Sequence, residues 1–145
     1  MKIGHVHLKI RDMKRSVDFY RQYLGMEITE QLGDAMVFMS AGTMHHELAL
    51  QAVGPDAPLP RRHDVGLYHI AFEVPDKQSF VEAFQTLKDG GINTYPVDHR
   101  ISWALYFSDP DGNGIEIYWD TRGTAYGTTR WNGVDQPLPE EKLAS

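Results

Sequence analysis

Two histidines and one glutamate stand in this chain where they could share a metal ion. Glu116 interrupts an apolar, β-prone run, Ile115–Trp119, and a carboxylate in such a strand needs a partner because burying an unpaired charge is costly. His5 and His69 occupy equivalent places in two similar halves of the chain. Two neutral imidazoles and one carboxylate suit a divalent first-row metal, and open positions on one side favour non-haem Fe(II) oxygen chemistry. We therefore predict that His5, His69 and Glu116 bind a metal ion.

The elements that would position these residues form a weak internal repeat. His5 precedes Asp12 by seven residues, and His69 precedes Asp76 by the same interval. Alternating apolar and polar residues predict a strand before each aspartate, and apolar residues at helical spacing predict a helix after it. The predicted strands are 3–10, 26–29, 35–40, 47–53, 68–74, 92–96, 103–108 and 114–119, and the predicted helices are 13–24 and 77–88.

This order predicts an α+β fold made of two βαβββ modules. Repeats that cannot bury their own sheets pack against each other, so we expect the modules to pair by a pseudo-twofold axis around a metal-binding cavity. The chain is interpreted as one domain, 1–145, with modules at about 1–54 and 64–120. A Pro-rich linker, 54–60, separates them, and an irregular C-terminal extension, 121–145, is expected to end in a disordered segment, 140–145.

Composition excludes several classes of protein. The net charge of −6 and the absence of a basic cluster argue against a nucleic-acid partner. The chain has no cysteine, so a metal must be bound by His, Asp or Glu. The absence of a long apolar run argues against a membrane partner, and a cytoplasmic location is the expectation.

Three segments resemble the vicinal oxygen chelate superfamily, which includes glyoxalases, fosfomycin-resistance proteins and type I extradiol ring-cleavage dioxygenases. They are GHVHLKIRD, GLYHIAFEVPD and DPDGNGIEIYW, and the resemblance spans about residues 3–120. The family's metal ligands are the histidine of the first segment, the histidine of the second and the glutamate of the third. The resemblance thus implies the same set, His5, His69 and Glu116.

Two further segments are similar to the extradiol dioxygenases that cleave catechols. HHELAL resembles the segment that carries an acid–base histidine, which implies that role for His46. DHRISWALYF resembles the segment that carries a histidine and a tyrosine near the substrate, which implies donor roles for His99 and Tyr106. A catechol must lose a phenolic proton in this reaction, so an acid–base residue and hydrogen-bond donors are needed. The resemblance implies Fe(II), with Mn(II) as an alternative, a small aromatic diol and O2.

Strand parity in HHELAL leaves other reactions open. If Leu48 and Leu50 pack under the helix, Glu47 faces the cavity and His46 reaches it only through a bulge or loop. A glyoxalase-like lyase or isomerase would use Glu47 as a fourth ligand to Ni(II) or Zn(II). A third hypothesis is a non-catalytic protein that binds a small aromatic molecule, as resistance members do. Exposed sheet edges in so small a chain also predict a homodimer.

Overall fold

The computed structural model describes residues 1–61 and 63–143, which form two compact units. The first unit comprises residues 1–64 and 109–112, and the second comprises 65–108 and 113–145, each without the positions that are not described. Each unit is described below by itself. None of the helices in the described residues has the length and apolar character needed to cross a membrane.

The first unit has one sheet and one helix. In chain order its elements are β1 (Val6–Ile10), α1 (Met13–Leu24), β2 (Glu27–Leu32), β3 (Met36–Ser40) and β4 (Leu48–Ala52). The sheet order is β1-β4-β3-β2, with β1 and β4 parallel and the other pairs antiparallel. Leu8 and Ile10 alternate with exposed residues along β1, as the sequence pattern predicts for a half-buried strand.

The second unit repeats this order and adds to it. Its elements are β5 (Ile70–Val74), α2 (Lys77–Asp89), β6 (Tyr95–Asp98), β7 (Ser102–Ser108), β8 (Gly114–Asp120), β9 (Gln136–Pro137) and a short 3-10 helix, Glu140–Lys142. The sheet order is β5-β8-β7-β6-β9. Trp103 of β7 is fully buried and meets Phe80 of α2 edge-on at 6.1 Å between ring centroids. The apolar face of this sheet therefore packs under α2.

Both long helices begin at an aspartate. The Asp12 side chain accepts a hydrogen bond from the backbone N–H of Arg15, and that of Asp76 accepts one from Ser79, each at 2.8 Å. These bonds satisfy donors that the first helical turn leaves unpaired. Helix α1 ends at Gly25, whose φ of 62° suits a residue without a Cβ. The equal spacing from His5 to Asp12 and from His69 to Asp76 therefore marks two equivalent helix starts.

The predicted α+β class and the order of the main elements are confirmed, and among the local differences two have a clear cause. Strand β6 starts at Tyr95, whereas 92–96 was predicted, because Ile92 closes the C-terminal turn of α2 through its N–H bond to the Leu87 carbonyl. The expectation of disorder over 140–145 is wrong for Glu140–Lys142, which is helical. Leu143 is buried, and Lys88 bonds Glu140 at 2.8 Å, so this segment is anchored. Positions 144 and 145 lie outside the described residues.

Candidate active site

His69 and Glu116 form a pair on neighbouring strands of the second unit. His69 directly precedes β5, which runs parallel to β8 with Ala71 opposite Glu116. The Nε2 atom of His69 lies 2.9 Å from a carboxylate oxygen of Glu116. The side chain of Glu116 is 11% exposed and that of His69 is 30% exposed. The predicted partner of Glu116 is therefore in contact with it, on the face of β8 opposite Ile115 and Ile117.

The chemistry of this pair fits a metal ion. If two ligand atoms each lie about 2.1 Å from a metal ion, with a ligand–metal–ligand angle of about 90°, they are about 3 Å apart. The observed separation of His69 Nε2 and the Glu116 oxygen is close to this value. No Lys or Arg side chain forms an ion pair with the buried Glu116 carboxylate in the described part of the chain. The buried Nδ1 atom of His69 has no hydrogen-bond partner among the same residues. A cation would compensate the carboxylate, so the donor set present suits a divalent metal.

Gly114 allows His69 to come this close to β8. A Cβ atom at position 114 would lie 2.2 Å from the backbone oxygen of Tyr68 and 3.1 Å from the Cβ of His69. Real atoms do not approach so closely, so any side chain here would displace the segment before β5. Glycine is therefore needed at position 114 because a neighbouring backbone comes too close for a side chain.

Tyr106 lies beside the pair. It stands opposite Glu116 in the antiparallel pairing of β7 with β8, and its ring centroid lies 5.6 Å from that of His69. Burial raises the pKa of the Tyr106 hydroxyl above its ordinary value, and the nearby Glu116 carboxylate raises it further. Tyr106 therefore keeps its proton at neutral pH and can donate a hydrogen bond.

His99 links Tyr106 to the C-terminal extension. Its Nε2 atom lies 2.7 Å from the Tyr106 hydroxyl, and its Nδ1 atom lies 2.5 Å from a carboxylate oxygen of Asp135. Trp131 donates its indole N–H to the same oxygen at 2.8 Å. These two bonds, that to His99 foremost, lower the pKa of Asp135, which is therefore an ionised acceptor. In the neutral ring, Nδ1 consequently carries the proton, and Nε2 accepts the Tyr106 hydroxyl.

Asp135 is a site residue that the sequence reasoning missed. It lies in the irregular extension, where no alternation or helical spacing indicates which way a side chain points. The ring of Trp131, four residues earlier, meets His99 edge-on at 6.1 Å. No local sequence pattern indicates the contact of Asp135 with His99, because the two residues are 36 positions apart in the chain.

His5 and His46 lie together in the first unit. The backbone N–H of Val6 bonds the Glu47 carbonyl at 2.9 Å, which brings the segment before β1 beside the segment before β4. The His5 and His46 rings are consequently 4.6 Å apart, and His46 also packs on Phe38 at 4.9 Å. Desolvation lowers the pKa of His46, and the neighbouring His5 lowers it further. His46 is therefore a neutral imidazole, able to accept a proton, at neutral pH.

Glu47 makes a different set of contacts. One of its carboxylate oxygens accepts the backbone N–H of Ala41 at 3.3 Å, and the other would lie 3.4 Å from a Cβ at position 42. Glu47 therefore binds the loop after β3. Leu48 and Leu50 are buried, which was the condition of the parity argument. Both Glu47 and His46 precede the strand, so strand parity does not set their directions.

The predicted site residues thus fall into two groups. His69, Glu116, Tyr106 and His99 are joined in the second unit, and His5 lies beside His46 in the first. Within each unit, over the described positions, no group of three or more His, Asp or Glu side chains is arranged to hold a metal ion. The ligand set of His5 with His69 and Glu116 stays a prediction.

Comparison with known proteins gives a family and relatives with different reactions. The profile described as the Glyoxalase/Bleomycin resistance protein/Dioxygenase superfamily matches residues 2–117. A catechol-2,3-dioxygenase of Bacillus subtilis (strain 168) is 38% identical over 118 residues, which make up 81% of this chain and 41% of that protein. The chain therefore spans less than half of that relative. A lactoylglutathione lyase of Pseudomonas aeruginosa is 30% identical over 143 residues, covering 79% of this chain and 80% of the lyase.

Solved structures agree with the fold. The crystal structure of a glyoxalase/dioxygenase from Nostoc punctiforme superposes with a TM-score of 0.72 at 26% sequence identity. The superposition covers 83% of this chain and 92% of that one. The two sheets with few helices are thus the architecture of this group of proteins.

Proposed function

Because the chain belongs to the Glyoxalase/Bleomycin resistance protein/Dioxygenase superfamily, also called the vicinal oxygen chelate superfamily, we propose that it is an extradiol dioxygenase. It would open the ring of a catechol-type aromatic with O2, using Fe(II), or Mn(II) as an alternative. His5, His69 and Glu116 would bind the metal. Members of the superfamily named for dioxygenase and for lyase reactions are both similar to this chain, so the choice of reaction depends on the site.

The observation that carries the proposal is the His99–Tyr106 hydrogen bond beside the His69–Glu116 pair. Tyr106 lies within ring contact of His69, and His99 holds its hydroxyl at 2.7 Å. A metal site that activates O2 towards an aromatic diol needs proton donors next to the ligands but outside the ligand set. Tyr106 supplies such a donor, and His99 holds its hydroxyl with Asp135 behind it.

The contacts of Glu47 favour a metal site with three protein ligands over one that Glu47 would complete as a fourth ligand. A glyoxalase-like centre would need a fourth protein ligand, and Glu47 is the candidate. Its carboxylate accepts the N–H of Ala41, whereas His46 packs on His5. If His5 binds the metal, His46 would lie near it and Glu47 would stay in the loop, which would leave positions for substrate and O2.

The metal, when bound, would supply Lewis acidity that lowers the pKa of the catechol hydroxyls and the redox chemistry that O2 activation needs. The chain's own residues would manage the protons. His46, a neutral imidazole, would accept a phenolic proton from the substrate. Tyr106 keeps its proton and, once substrate is bound, would turn its hydroxyl from Nε2 of His99 to donate to the reacting oxygen, while Asp135 fixes which nitrogen of His99 is the acceptor.

An oxygen electrode tests the proposal. The purified protein, loaded with Fe(II) without O2 present, should consume O2 with catechol or with a bulkier biaryl catechol. His5→Ala should lose both bound metal and O2 consumption while the far-ultraviolet spectrum stays unchanged. Tyr106→Phe should keep the metal and lower the rate by about 100-fold, in the range of a lost acid–base group. An Fe(II)-loaded protein that consumes no O2 with any catechol would contradict the proposal.

The lyase alternative is favoured by the similarity to lactoylglutathione lyase. The dioxygenase and the lyase differ in whether Glu47 binds the metal. Glu47→Gln should leave metal content unchanged in the dioxygenase and reduce it strongly in a four-ligand Ni(II) or Zn(II) enzyme. Elemental analysis of the variant beside Glu27→Gln, an exposed carboxylate in β2 that pairs with Arg21, gives the comparison.

A homodimer in the cytoplasm completes the proposal. Strand β2 forms one edge of its sheet, and all six of its residues are exposed, including Ile28 and Leu32. Exposed edge strands with apolar residues pair readily with a second copy. Sedimentation velocity should show a dimer that Ile28→Lys converts to a monomer, and a monomeric parent protein would contradict this part.

A further inference from the structure

A cavity lies next to His99 in the second unit. Its volume is about 500 Å³, which is the size of a site for a small organic molecule. The C-terminal extension forms most of its wall, and Arg100, directly after His99, forms the rest. The lining residues are Arg100, Thr128, Thr129, Arg130, Trp131, Asn132, Val134 and Gln136.

The lining is cationic although the chain is acidic. The sequence carries 20 acidic against 14 basic residues, yet two arginines and no Asp or Glu line this cavity. In the part of the chain that the structure describes, neither Arg100 nor Arg130 forms an ion pair, and the Arg100 guanidinium makes only a long 3.4 Å contact to the Gln136 side-chain oxygen. Unpaired guanidinium groups beside an aromatic ring favour an anionic, flat ligand.

The backbone holds Arg100 in a conformation that a non-glycine residue rarely adopts. Its φ is 70°, and among the described residues the other positive φ outside glycine is that of Asn132, in the same cavity wall. Two bonds fix this conformation. The Arg100 N–H donates to the buried Asp98 carboxylate at 2.7 Å, and its carbonyl accepts the Thr128 N–H at 2.6 Å. Such strained positions persist where surrounding contacts fix them, and they cluster at ligand sites.

The cavity also adjoins the candidate catalytic residues. The Trp131 ring meets His99 edge-on at 6.1 Å, and its indole N–H shares the Asp135 oxygen that binds His99. A ligand in this cavity would therefore contact the same tryptophan that packs on the histidine behind Tyr106.

We propose that this cavity binds the carboxylate-bearing part of an aromatic acid, with Arg100 and Arg130 as the anion-binding residues and Trp131 as the ring contact. This assignment rests on the proposed function: the substrate class is then a catechol that carries an acidic substituent. The neutral ester of the same acid lacks the charge and would bind less well.

Binding to the metal-free protein tests the cavity without any reaction. The indole N–H resonance of Trp131, identified by its loss in Trp131→Phe, should shift in a saturable way with benzoate and not with benzamide. Arg130→Gln and Arg100→Gly should each weaken benzoate binding by about tenfold, which is the size of one hydrogen bond to a charged group. Glycine is chosen at position 100 because it tolerates the positive φ. Arg122→Gln, which removes a surface charge paired with Asp120, is the matched control and should bind as the parent does.

Turnover then tests the substrate class. With Fe(II) bound, kcat/KM for 3,4-dihydroxybenzoate should exceed that for its methyl ester, and Arg130→Gln should remove the difference mainly through KM. Benzoate binding without O2 consumption would support the anion site and contradict the dioxygenase proposal. Absent benzoate binding, or binding that neither arginine variant weakens, would overturn the inference even if catechol itself is cleaved.

Discussion

His99 is held between two oxygen atoms whose roles differ. Ionised Asp135 accepts from Nδ1, and the Tyr106 hydroxyl reaches Nε2. A histidine oriented by a carboxylate keeps one tautomer, and loss of such an orienting partner costs about 10- to 100-fold in related histidine sites. The same contact makes Asp135 a positioning residue for the proposed reaction, because it acts through His99.

We expect Asp135→Asn to lower kcat by about 10- to 100-fold with little change in KM. An amide can donate to Nδ1, which would favour the wrong tautomer of His99. The ¹⁵N shifts of the His99 ring should show the proton moving from Nδ1 to Nε2. Asp120→Asn, which removes a carboxylate bound to Arg122 on the surface, is the control. Unchanged kcat and an unchanged ring tautomer in Asp135→Asn would contradict this role.

Single side chains were predicted to very different extents. Alternation along Ile115–Trp119 is enough to set Glu116 opposite the buried face, and the repeat indicates His69 as its partner. Asp135 has no such pattern, because its segment has almost no regular structure. Periodicity reports burial, and it carries no information about contacts made by an irregular extension.

The turn between β7 and β8 decides how His69 is held. Gly114 begins β8, and the Tyr68 backbone oxygen lies where its Cβ would be. We expect Gly114→Ala to displace the segment before β5 and to weaken metal binding by at least about tenfold, because a shift near 1 Å misplaces a ligand. Isothermal titration of the metal measures the loss. Gly66→Ala is a close control, since a Cβ there meets nothing within 4 Å, and equal metal affinity in both variants would contradict the expectation.

The cap of α2 should make stability depend on pH in acid. Hydrogen bonds from Ser79 lower the pKa of Asp76 in the folded protein, whereas the unfolded chain keeps its ordinary value. Because the pKa of Asp76 is lower in the folded protein, the ionised cap stabilises the fold fully at pH values above the pKa of the unfolded chain. This stabilisation is lost as the pH falls through the pKa of the folded protein.

Urea unfolding at pH 7 and at about pH 2 measures this contribution of Asp76. Asp76→Ala should be less stable than the parent at pH 7, and the difference should shrink in acid. Asp76→Asn keeps a capping oxygen without the charge, so it should retain most of the stability at pH 7 and show a flatter dependence on pH. A penalty for Asp76→Ala that is as large in acid as at pH 7 would contradict a contribution from the ionised group.

Both helices and the βαβββ order were predictable, because strand alternation and helical spacing act locally. The start of β6 was not, since the chain after α2 is closed by the Ile92 bond to Leu87 before it becomes extended. The helical end at Glu140–Lys142 was also missed. A polar, Pro-containing segment resembles a disordered tail, and the burial of Leu143 depends on distant residues.

For the whole chain, the turn Asp109–Gly112 is a covalent link between the two units. It joins β7 to β8 of the second unit yet belongs to the first, where Arg15 bonds the buried Asp111 at 2.6 Å and the Arg11 N–H bonds it at 3.1 Å. Because the second unit's chain passes through a segment fixed in the first, we expect the units to unfold together.

Arg15→Ala tests this coupling. It should lower the free energy of unfolding by about 1–2 kcal/mol, a modest value because the arginine is about half exposed, and so lower Tm by several degrees. All three tryptophans, Trp103, Trp119 and Trp131, lie in the second unit, so their fluorescence reports on the unit that does not contain Arg15. Lys14→Ala, which removes an exposed ion pair one residue earlier, is the control. A tryptophan transition that stays at the parent's temperature would show that the units unfold independently.

The most direct test of the proposed reaction is the fate of both oxygen atoms. The Fe(II)-loaded protein is incubated with a catechol under ¹⁸O2, and the mass of the product is measured by mass spectrometry. Extradiol cleavage predicts one product whose mass equals the catechol plus a whole ¹⁸O2 molecule, formed in step with O2 consumption and absent from His5→Ala. A product that carries no label, or a quinone with the mass of the catechol less two hydrogens, would contradict the proposed dioxygenase.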